Sequence, residues 1–243
     1  MIRRVLSCLL LITLTLPLNA RVQVIWGTDV WEGYTEPDGT GFYQELIALI
    51  FPSQEFDVEI EYLAWKRVSW NLRHQHIDMT GALHETDDYY LSATPVLSER
   101  ILALTRNNTP LDMRSSALLK NLVGAYRSGY EDDIFHEIVP EKVTGVPVDS
   151  PELAISLLTN NKIDYYVELE SMLASKEDTV SSAGLSERHV GTFHLYWAFT
   201  KTPKGKYIKT HFDRALETLR QNGKLASLYK KYDLMMPAAM SAR

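Results

Sequence analysis

The sequence predicts an α/β protein with a mainly parallel sheet, and three observations carry that expectation. Short β-type runs alternate with segments of helical apolar spacing over residues 22–74. A second unit of similar length and the same alternation starts near Leu118. The two units also share a corner: one helix passes through Ile77-Asp78 into Met79, the other through Ile163-Asp164 into Tyr165. The chain of 243 residues suits two lobes of about 100 residues each, or one large α/β domain.

In chain order, residues 22–26 form a β-type run, and Gly33, Pro37, Gly39 and Gly41 mark the loop after it. Residues 42–51 predict a helix with Phe42, Leu46, Ile47 and Ile50 on one face, stopped by Pro52. Residues 58–63 alternate as a strand, and residues 66–74 read as a helix with Val68 and Leu72 inward. In the second unit, residues 122–126 read as a strand entering a Ser128-Gly129 turn. Ser150-Pro151-Glu152 is a helix start, with a capping hydroxyl, a proline in the first turn and an acid at the positive helix end. Leu153, Ala154, Leu157 and Leu158 make the apolar face of that helix, Asn160-Asn161 end it, and residues 163–167 are the next strand. Residues 194–200 form an aromatic-rich strand, followed by a helix over 207–222 with Ile208, Phe212, Ala215, Leu216 and Leu219 inward. Asn222-Gly223 caps it, because glycine accepts left-handed backbone, and Leu225, Leu228, Tyr229 and Tyr232 form a last short helix.

The N-terminus predicts the compartment. Arg3 and Arg4 precede an apolar run over residues 5–16, and a polar-to-small stretch ends at Ala20. That order is the pattern of a secretory signal peptide cleaved after about Ala20, and the run is shorter than the roughly 20 residues of a membrane span. Cys8, the one cysteine, lies inside the signal, so the mature chain has neither a disulfide nor a thiolate ligand. A net charge of −6, with only short basic clusters, argues against nucleic-acid binding. No Gly-x-Ser-x-Gly, His-Glu-x-x-His or phosphate-loop pattern occurs. His74, His76 and His84, with Glu85, Asp87 and Asp88, match no closed metal site and read as a solvated loop, so neither metal nor cofactor is expected.

Four segments together resemble the family 3 bacterial extracellular solute-binding proteins, the polar amino-acid type that serves ABC importers. Gly27-Thr28-Asp29 with Trp31, Tyr34 and residues 39–46 resembles that family's first ligand loop and helix. Trp65-Lys66-Arg67 with Ile77-Asp78 is similar to its second helix and strand. Residues 160–167 are similar to its small-lobe helix and strand, and residues 219–223 with 229–232 to its C-terminal helix pair. The resemblance implies the periplasmic binding protein type 2 fold, two α/β lobes joined by two crossing hinge strands with the ligand in the cleft. It divides the chain into a signal peptide (1–20), a discontinuous lobe 1 (21–107 and 195–243) and lobe 2 (108–194). The chain leaves lobe 1 over residues 105–109 and returns over 192–194.

The resemblance implies a non-enzymatic periplasmic protein, monomeric, capturing a small polar or zwitterionic solute for an inner-membrane ABC permease. Two alternatives are a ligand-presenting partner of a membrane sensor and an enzyme similar to cyclohexadienyl dehydratases, with Glu168, Glu170 or His84 as general acid. The ligand contacts it implies are Trp31, Tyr34, Trp65, Arg67, Gly81, Tyr126, Ser128, Gly129 and Glu168. The aromatics suit an apolar or cationic group, Arg67 an anionic one, and the turn after Tyr126 an anion on free N–H groups. Each also has a plain packing role open to it. One departure stands out. The family's amino-acid binders place a carboxylate-gripping arginine after the second corner, whereas residues 74–99 here hold neither Arg nor Lys. Ordinary L-α-amino acids are therefore expected to bind weakly unless Arg67 or Arg127 reaches the cleft. Glu85, Asp87 and Asp88, with Glu168 and Glu170 opposite, point instead to a cationic ligand over Trp31 or Trp65.

Overall fold

The structure is a computed structural model that describes residues 20–107, 109–130, 135, 138, 139 and 145–241. Apart from Ala20, the expected signal peptide, Cys8 included, lies outside the described residues. Among the described residues no helix is long and apolar enough to cross a membrane.

The first lobe opens with β1 (Val22–Thr28), α1 (Phe42–Ile50), β2 (Phe56–Tyr62), α2 (Trp65–Arg73) and β3 (Met79–Leu83). β1 lies between β2 and β3, parallel to both, the arrangement that strand–helix alternation dictates. The spacing in α1 does what it predicts: Phe42, Leu46, Ile47 and Ile50 are all buried. Each side chain so buried contributes about 1.5–3 kcal/mol. β4 (Tyr90–Leu91) and the long β5 (Leu97–Arg106) follow. The second lobe holds α3 (Ser116–Leu119), β6 (Gly124–Arg127), β7 (Gly145–Val148), α4 (Pro151–Thr159), β8 (Tyr165–Leu169), α5 (Glu170–Leu173), a 3-10 turn and α6 (Glu177–Ser182). Here too the central strand, β6, is parallel to both neighbours. The chain closes with β9 (Leu185–Phe199), α7 (Pro203–Gln221), α8 (Lys224–Lys231) and α9 (Ala238–Ser241).

Two antiparallel strands join the lobes. The sheet order is β2-β1-β3-β9-β5-β8-β6-β7, with β4 also on β9. β5 and β9 pair with each other from Leu97↔Leu195 to Arg106↔Leu185, while β9 pairs with β3 on one side and β5 with β8 on the other. Pairing of β5 with β8 starts at Ile101, ahead of residues 105–109, where the sequence takes the chain out of lobe 1. β9 is far longer than the expected strand over 194–200. Its first half is polar and largely exposed, so hydrogen bonding to β5, and no burial pattern, makes it a strand. In α4, Ser150 accepts a hydrogen bond from the Leu153 N–H, the predicted cap. The predicted face is corrected in one place: Leu153 is exposed and Ile155 is buried in its stead.

The repeated corner is one structural device used twice. α2 and α4 both end in a Schellman motif, with His76 N–H on Asn71 O and Lys162 N–H on Leu157 O. Gln75 and Asn161 take the left-handed residue (φ 63° and 56°). The aspartate that follows then ties the corner to the neighbouring strand. Asp78 donates its N–H to Ile25 O and accepts the Ile25 N–H on its carboxylate, both at 2.8 Å. Asp164 does the same with Val123, at 2.7 and 2.8 Å. A cation completes each: Lys204 on Asp78 at 2.6 Å and Arg106 on Asp164 at 2.7 Å.

Candidate functional site

The C-terminal ends of β1, β3, β6 and β8 converge on one cavity between the lobes, where ligands collect in open α/β sheets. Thr28, Asp29, Val30 and Trp31 from the end of β1, Tyr43 of α1, Trp65 of α2 and Gly81, Ala82 and His84 around the end of β3 line one side. Arg127 and Tyr130 from the end of β6, Leu169 of β8 and Met172 of α5 line the other. The cavity is about 600 Å³ counting its open mouth.

Local backbone explains the wall at β3. The ladder to β9 is irregular between Thr80 and Leu83, and Ala82 sits there in left-handed backbone (φ 61°). A side chain without glycine's freedom in that region costs about 1–2 kcal/mol, and such strain gathers at ligand-binding sites. Gly81 beside it leaves room for two rings, since a Cβ there would lie 3.2 Å from both Trp197 and Tyr43.

The aromatic wall is stiff. Trp31 stacks on Tyr34 with ring centroids 4.0 Å apart and 19° between planes, and Tyr43 meets both. Tyr34 in turn donates its hydroxyl to Glu99 at 3.3 Å. Burial pushes the Glu99 carboxyl up to about 7, partly offset by Ser171 and Tyr34. Three lining donors are buried without a partner among the described residues: the indole nitrogens of Trp31 and Trp65 and the Tyr43 hydroxyl. Unpaired buried donors are costly.

One ion pair joins the lobes at the cavity. Arg127 Nη2 donates to Asp29 Oδ2 at 2.7 Å, with both side chains largely buried. Burial works against the Arg127 charge, but Tyr130, Glu168 and Asp29 more than offset it, so its pKa is raised further. Glu168 is fully buried in lobe 2, accepting from the Tyr166 hydroxyl at 2.5 Å and the Leu169 N–H at 2.9 Å. Burial raises its pKa, and Arg127 and these hydrogen bonds pull against the rise.

Of the expected contacts, Trp31, Trp65 and Gly81 line the cavity. Tyr34 lies behind Trp31, and Tyr126 is buried with its ring against Phe135. Arg67 and Ser128 line a groove outside the cavity, and Ser128 bonds Asp149 at 2.8 Å. Gly129 (φ 98°) meets the other lobe, where a Cβ would come 2.9 Å from Trp65 and 3.0 Å from the Lys66 nitrogen. Glu168 is not among the lining residues. The expected acidic face is corrected: Glu85, Asp87, Asp88 and Glu170 do not line the cavity either. Asp88 pairs with Arg73 and Glu170 with Arg100, both on the exposed surface. Sequence reading missed Asp29 and Arg127 as a facing pair. The hint was there: Arg127 directly follows one short β-type run, and Asp29 lies three residues after the end of the other.

Residues 31–235 match the profile of the bacterial extracellular solute-binding proteins, family 3. A search of the curated proteins finds no match by sequence. Among solved structures, the arginine-, lysine-, histidine-binding protein ArtJ from Geobacillus stearothermophilus superposes with a TM-score of 0.69 at 18% identity, over 90% of this chain and all of that one. A histidine kinase sensor domain similar to periplasmic binding proteins gives 0.73 at 18% identity, over 90% and 99%. EhuB in complex with hydroxyectoine gives 0.72 at 16% identity, over 90% and 91%. At these identities the likeness establishes the periplasmic binding protein fold.

Proposed function

The chain belongs to the family 3 bacterial extracellular solute-binding proteins, and from that premise we propose that it captures a small polar or zwitterionic solute in the cavity between its lobes. The observation that carries this is the convergence of four strand ends from both lobes on one aromatic-walled cavity. In this reading Trp31, Trp65 and Gly81 touch the solute, Tyr34 backs Trp31, and Gly129 seats against Trp65 as the lobes close. Residues 21–107 with 195–243, and 108–194, are the two moving bodies. The mature protein works as a monomer in the periplasm after signal cleavage near Ala20. It hands an amino-acid-like or cationic solute to an ABC importer and carries out no reaction itself.

Calorimetry and thermal shift against L-amino acids, polyamines, betaines and other small metabolites test this. A saturable hit raises the melting temperature with concentration; silence across the panel from well-folded protein overturns it. A second reading, presentation of the solute to a membrane sensor, is favoured by the likeness to a sensor domain. Co-purification with a permease supports the first role, and co-purification with a sensor kinase supports the second.

A further inference from the structure

We infer that Asp29 and Arg127 are the two charge anchors of this site, and that their ion pair is exchanged, charge for charge, for a small zwitterion. The solute's carboxylate takes Arg127 on lobe 2, and its cationic centre takes Asp29 on lobe 1. This rests on the reading of the cavity as the solute site and deepens it.

Among the described residues that line the cavity, Arg127 is the single Arg or Lys and Asp29 the single Asp or Glu. They stand on opposite lobes, 98 residues apart in sequence, and meet at 2.7 Å. The pair also forms the partition between the cavity and the outer groove, since Asp29, Trp65 and Arg127 line both. A solute coming from the groove must divide it.

The surroundings of each partner match the charge it would receive. Among the described hydrogen bonds Arg127 spends one donor, on Asp29; a guanidinium has five, in a fork that fits a carboxylate. Asp29 is held by the Val30 N–H on its other oxygen at 2.8 Å, and Trp31 and Trp65 share its side of the cavity. Aromatic faces beside a carboxylate favour an ammonium or quaternary ammonium centre.

Charge balance sets the class. A simple anion would take Arg127 and strand Asp29, and a simple cation would do the reverse. The first leaves a largely buried charge unpaired, which is strongly unfavourable; the second leaves Arg127 only the pull of Glu168, whose carboxylate is already held by Tyr166 and the Leu169 N–H. A zwitterion leaves both paired.

The test is calorimetry on the full chain with four probes: glycine betaine and β-alanine as zwitterions, tetramethylammonium as bare cation and propionate as bare anion. Wild type is expected to bind at least one zwitterion, with both single-charge probes about 100-fold weaker or more. Arg127→Gln loses that binding by about 100-fold, and Arg127→Lys, which keeps the charge without the fork, falls between. Asp29→Asn weakens the zwitterion and tightens propionate, inverting the preference, because Arg127 no longer has an internal competitor. Circular dichroism confirms folding of each variant. Three results overturn the inference: a zwitterion bound equally by wild type, Arg127→Gln and Asp29→Asn; no gain for propionate in Asp29→Asn; or no zwitterion bound by wild type while another solute of the broader panel binds. In all three the solute-binding reading stands. Silence toward every probe and the whole panel overturns both.

Discussion

Replacing Glu99 by Gln should make the protein lose measurably less stability between pH 5 and pH 8. Glu99 lies on β5, 7% exposed, with Tyr34 donating to it. Burial lifts its folded-state pKa from 4.5 to about 7. The folded protein therefore holds a proton that the unfolded chain has given up. This contribution is fully present below pH 4.5 and is lost as pH rises through about 7. At about 1.4 kcal/mol per pKa unit the whole loss is at most about 3.5 kcal/mol, most of it between pH 5 and 8. For a chain of this size that is a fall in Tm of at most roughly 7–14 °C. Gln keeps an acceptor for Tyr34 but does not ionise, so its stability profile should lack this slope. Urea or thermal unfolding of both proteins across pH 5–8 measures it. Parallel profiles for wild type and Glu99→Gln would refute the reasoning. Because Tyr34 stacks on Trp31, the same titration should register in tryptophan fluorescence.

Gly129→Ala meets both a positive φ of 98° and a Cβ that would lie 2.9 Å from Trp65. It should hold the lobes apart, lowering affinity for a panel hit by on the order of tenfold, the equivalent of the roughly 1–2 kcal/mol that left-handed backbone costs a non-glycine residue. Unchanged affinity together with unchanged small-angle scattering would count against a closure role. Asp164→Ala leaves the Val123 N–H without its side-chain acceptor and Arg106 without its carboxylate, and should cost about 1–3 kcal/mol. Thermal melts measure it, and an unmoved Tm would mean that the corner is not held by this aspartate.

The sequence by itself determined what is local. Apolar spacing marked α1 and α2, Ser150 and Pro151 marked the start of α4, and Asn222-Gly223 marked the end of α7, because caps and amphipathic faces depend on residues within a turn or two. The repeated Ile-Asp corner, two residues in each unit, proved to be a complete hydrogen-bonded device in both lobes. The ordered segments between Gly27 and Tyr232 were enough to identify the family. Tertiary structure decided the rest. The polar first half of β9 carries no burial signal, and β5 alone makes it a strand. Likewise nothing near Glu85, Asp87 or Asp88 in sequence shows that they face away from the cavity. The site's charges are the clearest case. Asp29 and Arg127 are 98 positions apart, each an ordinary surface-type residue in its own neighbourhood. What makes them a pair is the convergence of β1 and β6, a consequence of sheet order across two lobes, and burial that local sequence cannot express.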